Sequence, residues 1–188
     1  MRRHSLKKAV FFDRDGTLNV DVHYLHRIED FQWMPEAVEA IAYCHQQGYL
    51  VVVVTNQSGV ARGYYEEADV VRLHQWMNEE LARQGVAPID GFYYCPHHPK
   101  AAVPEYAVDC DCRKPKPGMI FTACRELGID AAQSFMVGDK PRDVECGEAA
   151  GAKGVLYEGG SLLACVKRAM EQREWIGGYM CGLVFLLI

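Results

Sequence analysis

Asp13 and Asp15 stand one residue apart at the end of the apolar run Val10-Phe11-Phe12, and Gly16 and Thr17 follow them. Like charges this close repel and raise each other's pKa, so the pair adds nothing to stability. Residues i and i+2 of an extended or tightly turned segment share a side, so both carboxylates can face one pocket. Gly16 permits a backbone geometry closed to other residues, and Thr17 can donate to the turn. Chemistry with one carboxylate as nucleophile and another as acid, held together by a cation, needs this arrangement. An Asx-turn closing a strand, or the metal-binding pair of a nucleotide-sugar transferase, would use the same three residue types. The flanking FFDRDGTL and the distant MVGDKPRD are more specific than the bare pair.

A second group has ligand spacing. Cys95 and His97 form Cys-x-His, and Cys110 and Cys112, twelve residues further on, form Cys-x-Cys. Two sulfur-nitrogen pairs joined by a spacer read as a tetrahedral Cys₃His zinc site, although the pairs are tighter than Cys-x₂-Cys. His98 is adjacent and could replace His97, and ordinary loop cysteines are the alternative to a metal. A closed four-ligand site leaves no position for substrate, so this zinc would be structural. It would fix the loop that delivers Arg113 and Lys114. The remaining cysteines, Cys44, Cys124, Cys146, Cys165 and Cys181, are scattered at mostly apolar positions and read as small hydrophobes.

The elements that must position these residues alternate. Strands are expected over 8–13, 49–55, 91–95, 134–139 and 152–157, and helices over 35–48, 66–85, 118–127 and 141–150. The run YLVVVVT is apolar throughout, the pattern of a strand buried on both faces of a parallel sheet. This alternation predicts an α/β fold, a Rossmann-like open parallel sheet with helices on both faces and no large cap domain. Ligands bind beyond the carboxyl ends of such strands, where Asp13, Thr55 and Asp139 would lie. The stretch from Cys95 to Pro117 carries five prolines, and a structureless loop of that length needs a function or a cross-link.

With 188 residues the chain fits one domain over 1–188, and 49% apolar with 24% charged residues is ordinary globular composition. A formal net charge of −5 carries no polyanion-binding signature, which weighs against nucleic acid as a partner. The basic start MRRHSLKK leads into only four apolar residues before Asp13, too few for a signal peptide, and no run is long enough to cross a membrane. A cytoplasmic protein without a disulfide framework is expected. The apolar end, 175–188, is too short to span a bilayer; a last strand, a dimer contact and an altered terminus all fit it.

Four segments in order, DRDGTL, VVVVTN, RKPKPG and GDKPRD, resemble the four motifs of the haloacid dehalogenase (HAD) superfamily of phosphohydrolases, over residues 8–157. The resemblance implies that Asp13 attacks phosphorus to form an aspartyl-phosphate. Asp15 would protonate the leaving oxygen and then activate water. Asp13, the backbone carbonyl of Asp15, and Asp139 would hold Mg²⁺, while Thr55 and Lys114 bind the transferring phosphoryl oxygens. Asp143 could orient a metal-bound water, or could simply be an acid favoured near a helix start.

Longer stretches, VTNQSGVARGYY, YYCPHHP, CDCRKPKPG and FMVGDKPRDV, resemble the heptose bisphosphate phosphatases, with the histidinol phosphatases as near relatives. That likeness puts the histidine ligand at His97. It implies one substrate loop of Asp21, Val22, His23 and Tyr24 and a second of Thr55, Asn56, Gln57 and Ser58. Arg113, Lys114 and Lys140 would meet sugar hydroxyls and phosphates. The implied partner is a small phosphorylated sugar, acted on by a monomer with Mg²⁺ and Zn²⁺. Histidinol phosphate and a polynucleotide 3′-phosphate are the alternative substrates. A zinc-stabilised interaction module with inert aspartates is the alternative of a different class.

Overall fold

In a strand, successive side chains point to opposite faces, so a strand apolar at every position must be covered on both sides. The computed structural model describes residues 6–181, with side chains through Gln172. Strands β1 (Lys8–Phe12), β2 (Tyr49–Asn56), β3 (Gly91–Cys95), β4 (Phe135–Gly138) and β5 (Lys153–Leu156) form one parallel sheet in the order β3-β2-β1-β4-β5. The helices are α1 (Ala37–Gln46), α2 (Glu67–Arg83), α3 (Gly118–Leu127), α4 (Pro141–Ala149) and α5 (Leu162–Cys181). Val10, Phe12, Val51 and Val53 pack with residues of α1, α2 and α5. Ala9, Phe11, Val52 and Val54 pack on the opposite face against α3 and α4. This is the doubly covered α/β sheet that the alternation of elements predicts.

The strand order decides where chemistry can occur. β2 and β3 build outward on one side of β1, whereas β4 and β5 lie on the other. The reversal opens a crevice beyond the carboxyl ends of β1 and β4. Asp13 follows β1, and its N–H donates to the Val137 carbonyl at 2.9 Å, which extends the β1–β4 pairing to the crevice floor. Asp139 follows β4 directly. The connections over the crevice (13–36, 57–66 and 96–117) carry only the 3₁₀ turns Ile28–Asp30 and Pro104–Tyr106.

The boundaries differ in two places. The helix expected from Pro35 begins at Ala37, because Glu36 takes a left-handed conformation with φ 58°. α5 was not among the expected elements, yet Leu162, Cys165, Val166, Ala169 and Met170 recur at helical spacing and are all buried. It carries the chain through residues 175–181 as helix, not as a last strand; residues 182–188 lie outside the described residues. No helix among the described residues is long and apolar enough to cross a membrane.

Candidate active site

Three carboxylates converge at the crevice floor. One oxygen each from Asp13, Asp139 and Asp143 lie within 4.8 Å of one another. Two glycines make the approach possible. Gly16 has φ +88°, and a Cβ there would sit 2.6 Å from Asp139 Oδ2. A Cβ on Gly138 would sit 2.3 Å from the Cβ of Asp143. Asp143, in the first turn of α4, turns back to accept the Lys140 N–H at 3.0 Å.

A single fully buried ammonium lies among them. Lys114 Nζ is 2.8 Å from Asp13 Oδ1 and 2.8 Å from Asp143 Oδ1. It also donates a hydrogen bond to the Val54 carbonyl at 2.8 Å. Asp139 Oδ2 pairs with Lys140 Nζ at 2.6 Å, while its buried Oδ1 has no hydrogen-bond partner. Burial pushes the Asp13 carboxyl up to about 6; Lys114 opposes this and Asp143 adds to it. The floor is therefore short of positive charge, with two buried carboxylate oxygens, Asp139 Oδ1 and Asp143 Oδ1, that accept no hydrogen bond. Oxygen donors in that condition fit a hard divalent cation such as Mg²⁺.

Above the floor is a cavity of about 240 Å³. Its wall includes Asp13, Asp15 and Thr55, then Asp21, His23 and Tyr24 from the first loop, and Asn56, Gln57 and Ser58 from the second. Tyr65, Lys140 and Arg142 complete it. His23 and Tyr24 are consecutive left-handed residues with φ 60° and 58°. Such strain persists only where surroundings enforce it, and here Asp21 Oδ1 accepts the His23 N–H at 2.9 Å. Val22 points away and is exposed. Lys114 and Asp139 lie beneath the wall instead of on it. Arg113 is also set back, its Nη1 donating to the His97 carbonyl at 3.1 Å. Burial lowers its pKa, and the nearby Arg142 and Arg62 charges add to this. Asn56 pairs reciprocally with the Lys114 backbone, at 3.0 and 3.2 Å, so the second loop fixes the segment after Cys112.

Asp15 is held by donors from several segments. It accepts from Asn19 Nδ2 at 3.0 Å, Gln57 Nε2 at 2.9 Å and Arg14 Nη2 at 3.0 Å. Gln57 Nε2 also reaches Thr55 Oγ1 at 2.9 Å, and the Tyr65 hydroxyl donates to Gln57 Oε1 at 2.8 Å. Arg14, Asn19, Tyr65 and Arg142 are site residues that sequence reasoning missed. For Arg14 a signal existed. Arg14 closely follows a buried strand, and a charged residue enclosed there must find a partner, which Asp15 provides. Tyr65 and Arg142 carry no comparable signal.

The second cluster is equally compact. Cys95 Sγ is 3.5 Å from Cys110 Sγ and 3.7 Å from His97 Nδ1. Cys112 Sγ is 3.1 Å from Cys110 Sγ and 3.6 Å from His97 Nδ1. Bonds of about 2.3 Å to sulfur and 2.0 Å to nitrogen give a tetrahedron with edges of about 3.8 and 3.5 Å. The nitrogen–sulfur separations match that figure and the two sulfur–sulfur separations fall short of it, while all lie well beyond a disulfide bond of about 2.05 Å. All of these cysteines are free thiols. His98 lies apart, its Nδ1 accepting the Lys100 N–H at 3.1 Å. The loop is further tied down where Ala102 and Val103 donate to the Ala61 carbonyl at 2.9 and 3.0 Å.

Known proteins share these features. A family model described as HAD-hydrolase-like matches residues 111–174. D-glycero-β-D-manno-heptose-1,7-bisphosphate 7-phosphatase of Pasteurella multocida is 53% identical over 148 residues, 79% of each chain. The Escherichia coli K12 protein of the same name is 49% identical over 76% of this chain and 74% of its own. Among solved structures, the D,D-heptose 1,7-bisphosphate phosphatase of B. bronchiseptica, complexed with magnesium and phosphate, aligns with a TM-score of 0.76 at 30% identity. That alignment covers 88% of this chain and 99% of the other. Taken with the parallel sheet and the carboxylates at its switch point, these likenesses show that the chain belongs to the heptose-1,7-bisphosphate 7-phosphatase family of HAD-like hydrolases.

Proposed function

We propose that the chain, acting as one catalytic domain and as a monomer, is a Mg²⁺-dependent phosphatase that removes the C7 phosphate of D-glycero-β-D-manno-heptose 1,7-bisphosphate. Its product would supply the synthesis of nucleotide-activated heptose for surface polysaccharide. One observation carries the chemistry: Asp13, nine-tenths and more buried beside Lys114, faces the same cavity as Asp15. The relatives carry the substrate.

On this reading Asp13 attacks phosphorus. An Asp13 Oδ–P bond forms as the bond from phosphorus to the C7 oxygen breaks, and Asp15 gives that oxygen its proton. Asp15, now a carboxylate, takes a proton from water as the water attacks the aspartyl-phosphate, and inorganic phosphate leaves. Asn19, Gln57 and Arg14 keep Asp15 aimed for both transfers. Thr55 contributes a hydroxyl beside the nucleophile. Lys114, paired with Asp13 and Asp143, holds the nucleophile in place, offsets its charge and stands beside the site where the phosphoryl oxygens would lie. Asp13, Asp139 and the Asp15 carbonyl, with Asp143 alongside, would hold Mg²⁺, which would supply positive charge for the transferring phosphoryl group. Zn²⁺ bound by Cys95, His97, Cys110 and Cys112 would be structural, since all four positions are filled by the protein.

A phosphate on the terminal C7 carbon enters a strand-end pocket with little steric conflict, whereas the anomeric phosphate brings the ring with it. The second phosphate then stays near the rim, where Lys140 and Arg142 line the wall and Arg113 stands behind them. Asp21, His23, Tyr24, Asn56 and Ser58 are left to meet sugar hydroxyls. Phosphorus NMR of the product tests this. Loss of the C7 signal with the anomeric signal intact is expected; the reverse, or turnover of histidinol phosphate alone, refutes the substrate assignment.

A further inference from the structure

We infer that His74, on α2, is a positioning residue for Asp15 that acts through the buried guanidinium of Arg14. The inference rests on the phosphatase reading and goes beyond it. Arg14 sits between the two aspartates, and its side chain is entirely buried. Its Nη2 donates to Asp15 Oδ2 at 3.0 Å and Oδ1 at 3.2 Å, and its Nε to Oδ1 at 3.3 Å. The same Nη2 reaches the Leu25 carbonyl at 3.0 Å and Gln57 Oε1 at 3.1 Å. One face of the guanidinium thus ties the carboxylate to both substrate loops. The other nitrogen, Nη1, has one side-chain hydrogen bond among the described residues, to His74 Nε2 at 3.3 Å.

The chemistry of that contact is determined by its partners. A guanidinium can only donate, so Nε2 must accept and the ring proton lies on Nδ1. Burial, reinforced by the Arg14 charge, holds His74 well below its ordinary pKa, which keeps the imidazole neutral and able to accept. The ring is itself immobilised, stacked on Phe92 of β3 with centroids 4.4 Å apart and planes at 15°. Asp15 lies on a turn, but through Arg14 it is referred to α2 and β3, which belong to the rigid layers. With no acceptor at His74, the Nη1 end of the guanidinium loses its anchor. Asp15 would then wander from the line between the leaving oxygen and its proton.

A purely structural histidine would affect every substrate alike, whereas a positioning role depends on the leaving group. An aryl phosphate such as 4-nitrophenyl phosphate needs no proton to release its phenolate, but a phosphate on a primary alkyl carbon does. The test compares first-turnover rates on the Mg²⁺-loaded protein for 4-nitrophenyl phosphate and the heptose bisphosphate. His74→Phe keeps an aromatic ring against Phe92 and removes the acceptor. It should slow first turnover of the sugar phosphate roughly 10- to 100-fold with little change in KM. Its nitrophenolate burst should keep the wild-type rate. His74→Gln, which restores an acceptor, should recover most of the loss. Both rates come from one preparation, so any unfolded fraction cancels in their ratio. An unchanged ratio in His74→Phe, or a change confined to KM, overturns the assignment. Wild-type protein that releases phosphate from neither ester would instead overturn the phosphatase reading beneath it.

Discussion

Lys114→Met removes the one fully buried cation among the carboxylates while nearly conserving side-chain volume. The change leaves the buried Asp13 and Asp143 without their shared counter-ion, and takes a donor from the Val54 carbonyl. Removing one partner of a buried ion pair costs about 3–5 kcal/mol. In a chain of this size each kcal/mol moves the thermal midpoint by about 2–4 °C, so a fall of roughly 6–20 °C is expected at neutral pH. The dependence on pH has a definite sign. Burial already raises Asp13 from 3.8 to about 6 against the pull of Lys114, and losing that pull raises it further. A folded-state carboxyl with a raised pKa binds its proton more tightly than the unfolded chain does, so stability is lost as pH rises through that pKa. The deficit of the variant is therefore largest above about pH 7 and shrinks as pH falls toward about 4. Saturating Mg²⁺ should stabilise the variant over its metal-free form by about 2.7 kcal/mol at a hundredfold excess over Kd. Calorimetric melts with and without added Mg²⁺, in buffer free of the chelators that would strip a thiolate-bound metal, measure all three effects. A midpoint within about 2 °C of wild type, or a deficit that is the same at low and neutral pH, refutes the electrostatic account.

Asp13→Asn should leave the fold intact and lower kcat below about 1% of wild type, a loss of at least about 2.7 kcal/mol, because the amide is a poor nucleophile; higher residual turnover sinks the nucleophile assignment. Gly16→Ala forces a Cβ to within 2.6 Å of Asp139 Oδ2 at a φ of +88°. It should therefore raise the Mg²⁺ concentration for half-maximal activity about tenfold or more, worth about 1.4 kcal/mol; an unchanged magnesium titration counts against Asp139 as a ligand. Protein purified without added metal or chelator should contain about one zinc per chain by elemental analysis, falling to near zero in Cys110→Ser. That variant should also lose kcat/KM, because Arg113 hangs on the His97 carbonyl.

Local chemistry was legible in the chain itself. Short apolar runs without alternation fit strands covered on both faces, as β1, β2 and β4 are, while the half-buried edge strands β3 and β5 were marked by their β-branched and aromatic residues. The same holds for the pairing of Asp13 with Asp15, and for the grouping of Cys95, His97, Cys110 and Cys112, because short spacing limits how far such residues can separate. α5 was equally legible from its helical spacing, although 162–181 was not among the expected elements. Other features depend on distance in sequence and were decided only by tertiary structure. Asp143 joins Asp13 because β4 pairs with β1 and α4 starts at the switch point, while Gly138 leaves room for the carboxylate. Lys114 lies buried between Asp13 and Asp143 because packing closed over it, which nothing about a lysine in a Pro-rich loop foretells. Arg113 is set back and Arg142 takes the wall, since a helix start and a loop anchored at His97 meet there with different reach. His74 meets Arg14 across 60 residues of chain, a contact that no local pattern encodes. Spacing specifies which groups can act together over a few residues, and the burial of charge, which depends on everything packed around it, decides the rest.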